Sequence, residues 1–172
     1  MPLILRKIRK AKWYRSEAVP WLAKEDLQAD ALVDLATKGN RLSVFVVEDD
    51  QSNLERIIAG IAANCDFISD FDYALFAQEA LDEVKINAED TSGETPDRVV
   101  NSWHRDLVEL SAANIFALAK VIATKAERKR VLSKRVLELV ALAVASGQIE
   151  RGKLGLKPDQ IAKVDQVLGL NT

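Results

Sequence analysis

The sequence predicts an α+β fold, predominantly helical, with a small β element near residues 42–47 and a long helical pair at about 98–146. Three observations carry this expectation. The segment LSVFVV at 42–47 joins the β-branched Val44, Val46 and Val47 to the aromatic Phe45, a composition that suits a half-buried pleated surface. Apolar residues elsewhere recur at threes and fours, the spacing that gathers them on one helix face. The 172 residues are 48% apolar and 29% charged, an ordinary globular balance and enough chain for one substantial core, so 1–172 reads as a single domain.

The opening LILRKIRK mixes four large apolar residues with Arg6, Lys7, Arg9 and Lys10, which suits a short basic strand or an amphipathic turn. The segment SEAVPWLAKED leads into a first helix over about 25–38, where Leu27, Ala31 and Leu35 lie four apart beside Leu32. Gly39 and Asn40 can end that helix in left-handed geometry. After the strand at 42–47, Ser52 or Asn53 can cap a helix over about 54–64 with Leu54, Ile57, Ile58, Ile61 and Ala62 on one face. In CDFISDFDYALF the aspartates favour a turn through Asp70, followed by a helix from Asp72 to about Val84. Residues 87–97 lack a large apolar anchor and read as a flexible loop.

Beyond Pro96, Val100, Trp103, Leu107, Leu110, Leu118 and Val121 make one stripe, and Leu132, Val136, Leu139, Val140 and Ala143 make another. Two packed helices follow from these stripes. An unbroken helix would put Lys125, Arg128 and Lys129 at the angular position of Leu132 and Leu139, so a turn or exposed tip is expected between Thr124 and Arg130. Gly147 ends the second helix, 147–157 is a loop, and Pro158 opens a short final helix with Ile161, Val164 and Leu168.

Charge is unevenly spread. Residues 48–97 hold 14 Asp and Glu against Arg56 and Lys85, while the remaining segments hold 22 Lys and Arg against 12 acidic residues. Such an acidic middle between basic flanks favours internal attraction or oriented docking. A lone cysteine, Cys65, excludes an internal disulfide. The apolar start is too short for a signal peptide, and no window approaches the roughly 20 apolar residues of a membrane span, so a cytoplasmic address without membrane attachment is expected.

No motif identifies a reaction. His104 is the only histidine, and on a helix Asp106 at i+2 would point away from it. Ser102 completes no triad, the glycines at 147, 152 and 155 fit no phosphate loop, and neither a catalytic residue nor a cofactor is assigned. The leading expectation is a non-enzymatic protein-interaction or regulatory module, with a homo-oligomer or another protein as partner. Its proposed contact face is Ile115, Phe116, Leu118, Ala119 and Ile122, where apolar residues cover more than one side of the helix. One alternative is nucleic-acid binding through Arg6, Arg9, Lys10, Arg128, Lys129 and Arg130 if the fold unites them. The other is a carboxylate metallohydrolase built on Glu48, Asp50 and Asp70 with His104, which requires at least three of those side chains to converge on one ion.

Overall fold

The computed structural model describes residues 1–13 and 27–170. Its strands are β1 (Leu3–Ile8), β2 (Leu42–Val47), β3 (Phe71–Ala77), β4 (Ala88–Asp90), β5 (His104–Leu107) and β6 (Glu127–Val131). Its α-helices are α1 (Lys10–Trp13), α2 (Leu54–Ala63), α3 (Glu79–Glu83), α4 (Arg98–Ser102), α5 (Ala112–Thr124), α6 (Ser133–Ala145) and α7 (Pro158–Val167), with a 3-10 helix at Ala29–Leu35 and another at Arg151–Lys153. The mixed, mainly helical class is as expected. The strands form one antiparallel sheet in the order β4-β5-β2-β1-β3-β6.

Helices cover both faces of that sheet. Alternation along β1 sends Leu5 to one side and Ile4 and Ile8 to the other. On the first side Leu5, Val47, Phe71, Tyr73 and Leu75 pack with Ile57 and Ile58 of α2 and Val136, Leu139 and Val140 of α6. On the second, Ile4, Ile8, Leu42, Val44, Ala74 and Phe76 pack with Trp13, Leu35 of the first 3-10 helix, and Leu118 and Ile122 of α5.

The sheet explains four differences from the sequence expectations. Residues 71–77 form a strand rather than the start of a helix over 72–84, because a strand buried on both sides needs apolar residues at successive positions and loses its period-two signature. The helices α5 and α6 both exist, but β6 lies between them in the chain and they sit on opposite faces of the sheet, so they do not pack as a pair. Residues 127–131, expected as a turn or helix tip, form the edge strand β6, where charged side chains suit a strand with solvent beside it. The stripe beginning at Val100 is split in the same way, with Val100 in α4, Leu107 in β5 and Leu118 in α5.

Local signals fared better. The strand at 42–47 and the helices beginning at Leu54 and Pro158 stand where expected. Asn53 occupies the position before α2, yet its side chain turns back, its Oδ1 accepting from the Glu48 amide and its Nδ2 donating to the Val46 carbonyl. Gly147 ends α6 with φ 74°, a conformation glycine adopts without a Cβ clash. Residues 91–97 carry no strand or helix, and residues 88–90, expected within the loop, add the short strand β4 to β5. The expected first helix is shorter, a 3-10 helix at Ala29–Leu35, and the passage SEAVPWLAKED at 16–26 lies outside the described residues.

Candidate functional site

The proposed contact face on α5 divides into an inner and an outer part. Leu118, Ala119 and Ile122 are buried in the core, with Ile122 fully so, because α5 lays this side against the sheet and the first 3-10 helix. They cannot contact another protein in the folded chain, which corrects their assignment to an interaction face. Ile115 is half-buried at the boundary, and Phe116 projects outward with 62% of its surface exposed. The α5 helix begins with a reciprocal capping box, in which Ser111 Oγ accepts from the Asn114 amide and Asn114 Oδ1 accepts from the Ser111 amide. Phe116 therefore stands on the second turn of a well-anchored helix.

Beside Phe116 runs a groove of about 430 Å³ between α5 and the 3-10 helix, lined by Leu27, Leu32, Ala119 and Lys120. Val33 of that 3-10 helix is also 56% exposed. Phe116, Ala119, Leu27 and Leu32 form an apolar surface from two segments distant in sequence. The contribution of Leu27 and Leu32 was invisible in the sequence because a helical reading at 25–38 assigns both to the core stripe. Replacing Phe116 by alanine should change monomer stability by no more than about 0.5 kcal/mol, as for most exposed positions. A larger loss in chemical denaturation would show that Phe116 belongs to the core.

The two basic groups do meet. Across β1, β3 and β6 the register aligns Arg6 with Ala74 and Ala74 with Arg128, then Lys7 with Tyr73 and Tyr73 with Lys129, then Ile8 with Asp72 and Asp72 with Arg130. Much of this charge is turned inward. Half-buried Arg6 donates to the Ser43 carbonyl at 2.7 Å and the Asp34 carbonyl at 2.6 Å, and desolvation lowers its pKa although Asp34 opposes the effect. Arg128 donates to the Trp13 carbonyl. Arg130 makes two bonds of 2.8 Å to Asp72, which also accepts from the Lys10 amide at 3.0 Å. Asp34 accepts from the Arg9 amide and from Trp13 Nε1, tying α1 to the 3-10 helix.

Burial alone would raise the Asp72 pKa, but the Arg130 hydrogen bonds, the Lys10 amide and the nearby positive charges outweigh it and leave the pKa lowered. A carboxylate with a lowered folded pKa contributes stability that is present above its unfolded value, about 3.9, and is lost as pH falls through the folded value. Asp72→Asn should thus lower stability at neutral pH and flatten the further loss seen on acidification below about pH 4. Urea melts across that range would check it; an unchanged acid dependence in the variant would contradict this role.

The carboxylates proposed for metal binding do not converge. Glu48 follows Val47, which aligns with Leu3, whereas Asp70 precedes Asp72, which aligns with Ile8 at the other end of β1. About 3.3 Å per residue sets these two positions far beyond the span of one coordination shell. Locally, Glu48 accepts from Ser52 Oγ at 2.6 Å, Asp50 accepts from the Ser52 amide at 2.9 Å, and Asp70 accepts from the Ser133 amide at the start of α6. The Ser52 amide and hydroxyl lower the Asp50 pKa. Among the described residues no group of three or more His, Cys, Asp or Glu could hold a metal ion. The metallohydrolase expectation is therefore withdrawn.

His104 is placed differently from the helical expectation. It opens β5, so Asp106 at i+2 lies on the same face rather than pointing away. The imidazole is mostly buried; Nδ1 is 2.9 Å from Thr91 Oγ1, and Nε2 is 3.9 Å from Asp106 Oδ1. Ser43, which aligns with Asp106 on β2, donates to that carboxylate at 3.2 Å. Ser102 donates to the Val99 carbonyl and takes no part. Serine bonded to aspartate, with no bond to histidine, is not the order of a nucleophilic triad. Cys65 Sγ donates to the Ile61 carbonyl at the end of α2.

No helix among the described residues is long and apolar enough to cross a membrane. Comparison with known proteins finds no matching family model, no matching curated protein and no matching solved structure.

Proposed function

We propose that this protein is a non-enzymatic interaction module that self-associates through the outer face of α5 and the adjoining 3-10 helix. The observation that carries this reading is Phe116, exposed beside an apolar groove whose other wall is Leu27 and Leu32. A large aromatic residue in a concave apolar setting is the usual form of an interface anchor. The rim is suited to a two-fold pairing, because Lys120 lines the groove and Asp30 is exposed on the 3-10 helix, so opposite charges can face each other across the axis.

Phe116→Asp should weaken self-association at least tenfold in sedimentation velocity without unfolding the monomer. Leu142→Asp is the control, since Leu142 is 58% exposed on α6, across the sheet. Equal effects from the two variants, or none from Phe116→Asp, would reject this surface.

A second reading is supported by the register that brings the basic groups together. Arg9 is exposed, and half-exposed Lys129, paired with Glu127 at 2.9 Å, lies with Tyr73 on the other face of the sheet from Arg128 and Arg130; both can meet phosphates without dismantling the Asp72 network. Binding of single-stranded or duplex nucleic acid should then weaken with salt, and neutralising Arg9 and Lys129 should reduce the slope by roughly one unit per lost phosphate contact. Absence of binding at low salt would end this reading.

A further inference from the structure

We propose that the cleft above β2 and β5 binds a pentose phosphate, either as a free sugar phosphate or as a nucleoside monophosphate. The cleft has a volume of about 610 Å³, within the range of about 300–1,000 Å³ that holds small ligands. Its floor is built by strand alternation. Arg41 stands just before β2, and with Ser43 and Phe45 it lies on one face; His104 and Asp106 of β5 lie beside them through the pairings Phe45 with His104 and Ser43 with Asp106. Residues two apart on a strand are about 7 Å apart, so Arg41, Ser43 and Phe45 make a row of about 14 Å, long enough to take a pentose phosphate with space left at one end.

The chemistry changes in order along this row. At one end Arg41 and Lys38 supply positive charge. Arg41 pairs at 3.2 Å with the half-exposed Glu89, a pair that gives up little when a phosphate replaces the carboxylate, and stands 3.8 Å from the more buried Asp106. In the middle, Asp106 accepts hydrogen bonds, and the Ser43 hydroxyl that it holds both donates and accepts, which suits sugar hydroxyls. Next to it is His104, whose Nδ1 is bound to Thr91 and whose Nε2 makes no hydrogen bond among the described residues. An acceptor carboxylate and an imidazole nitrogen 3.9 Å apart can each take one hydroxyl of a vicinal diol.

At the far end Phe45 is half-buried, with its ring edge-to-face against His104 at 5.2 Å, and Ile61 lies nearby. This apolar end leaves room for a base but does not require one. The wall opposite is fixed closely, since a Cβ on Gly93 would stand 2.8 Å from Asn101 Oδ1 and 3.1 Å from His104 Cβ. The site lies on the opposite side of the sheet from Phe116 and does not depend on self-association.

Isothermal titration of the full chain with ribose 5-phosphate, adenosine monophosphate, ribose and inorganic phosphate tests the proposal. Both phosphorylated sugars should bind at least tenfold more tightly than ribose or phosphate. Equal affinity for the two identifies the free sugar phosphate as sufficient, and tighter binding of the nucleotide identifies the base as a further contact. Asp106→Asn and Arg41→Gln should each reduce binding at least tenfold while the circular dichroism spectrum and melting temperature stay near wild type. Should one of them unfold, Lys38→Met provides the same test from the rim. No binding of either phosphorylated sugar at millimolar concentration, or unchanged binding in folded variants, overturns the proposal.

Discussion

Asp97→Ala should destabilise the protein by about 3 kcal/mol, because it removes one partner of an ion pair and a helix cap in a single step. Asp97 is 1% exposed and takes Arg56 in two bonds, Nε at 2.6 Å and Nη2 at 3.1 Å. The same carboxylate accepts from the Val99 amide at 2.8 Å and the Val100 amide at 3.4 Å, the first turn of α4. Alanine leaves a guanidinium and two amide donors without their acceptor. Arg56 remains partly in contact with solvent, which keeps the expected loss from being larger. Asp97→Asn retains an acceptor for the cap and should recover about 1 kcal/mol of the loss. Denaturant unfolding of both variants measures the difference. A loss below about 1 kcal/mol for Asp97→Ala would show that water replaces these bonds without penalty.

The second large effect belongs to the inner face of α5. Ile122→Ala should cost about 3 kcal/mol, within the roughly 2–5 kcal/mol range for deleting a buried aliphatic side chain and leaving a cavity. Ile122 is fully buried among Leu118, Val121 and the β-sheet residues of the second cluster. For a chain of this size the loss corresponds to a fall in Tm of roughly 6–12 °C. Phe116→Ala, six residues earlier on the same helix, should leave Tm nearly unchanged. Comparable falls for the two substitutions in a thermal melt would contradict the division of α5 into core and contact faces.

That division was only half legible in the sequence. The apolar surplus at 115–122 is visible as residues on more than one side of a helix, but which side meets the core depends on the sheet beneath it. Strand β2 was legible because its β-branched run stands between clear turn signals, and α2 and α7 because their stripes are local and their ends are marked by Asn53 and Pro158. Strand β3 was not, since burial on both faces erases alternation and leaves FDYALFA compatible with a helix. Strands β5 and β6, reading HRDL and ERKRV, carry mostly charge and acquire their form from neighbours far along the chain.

The sites follow the same rule. His104 and Asp106 diverge on a helix and share a face on a strand, so one wrong local assignment hid the polar row above β2 and β5. The meeting of the basic groups rests on β3 aligning with both β1 and β6, a pairing across more than fifty residues that no local pattern encodes. Asp70 was better read, since it lies in the irregular segment before β3 where a turn was expected, whereas Asp97, read as part of a loop, caps α4.

The most direct test of self-association through Phe116 is the mass of the wild-type protein by light scattering across the micromolar range. Self-association through this face predicts a mass that rises with concentration from 19.0 kDa towards twice that value, with Phe116→Asp held at the monomer mass under the same conditions. A wild-type mass of 19.0 kDa at every concentration would contradict it.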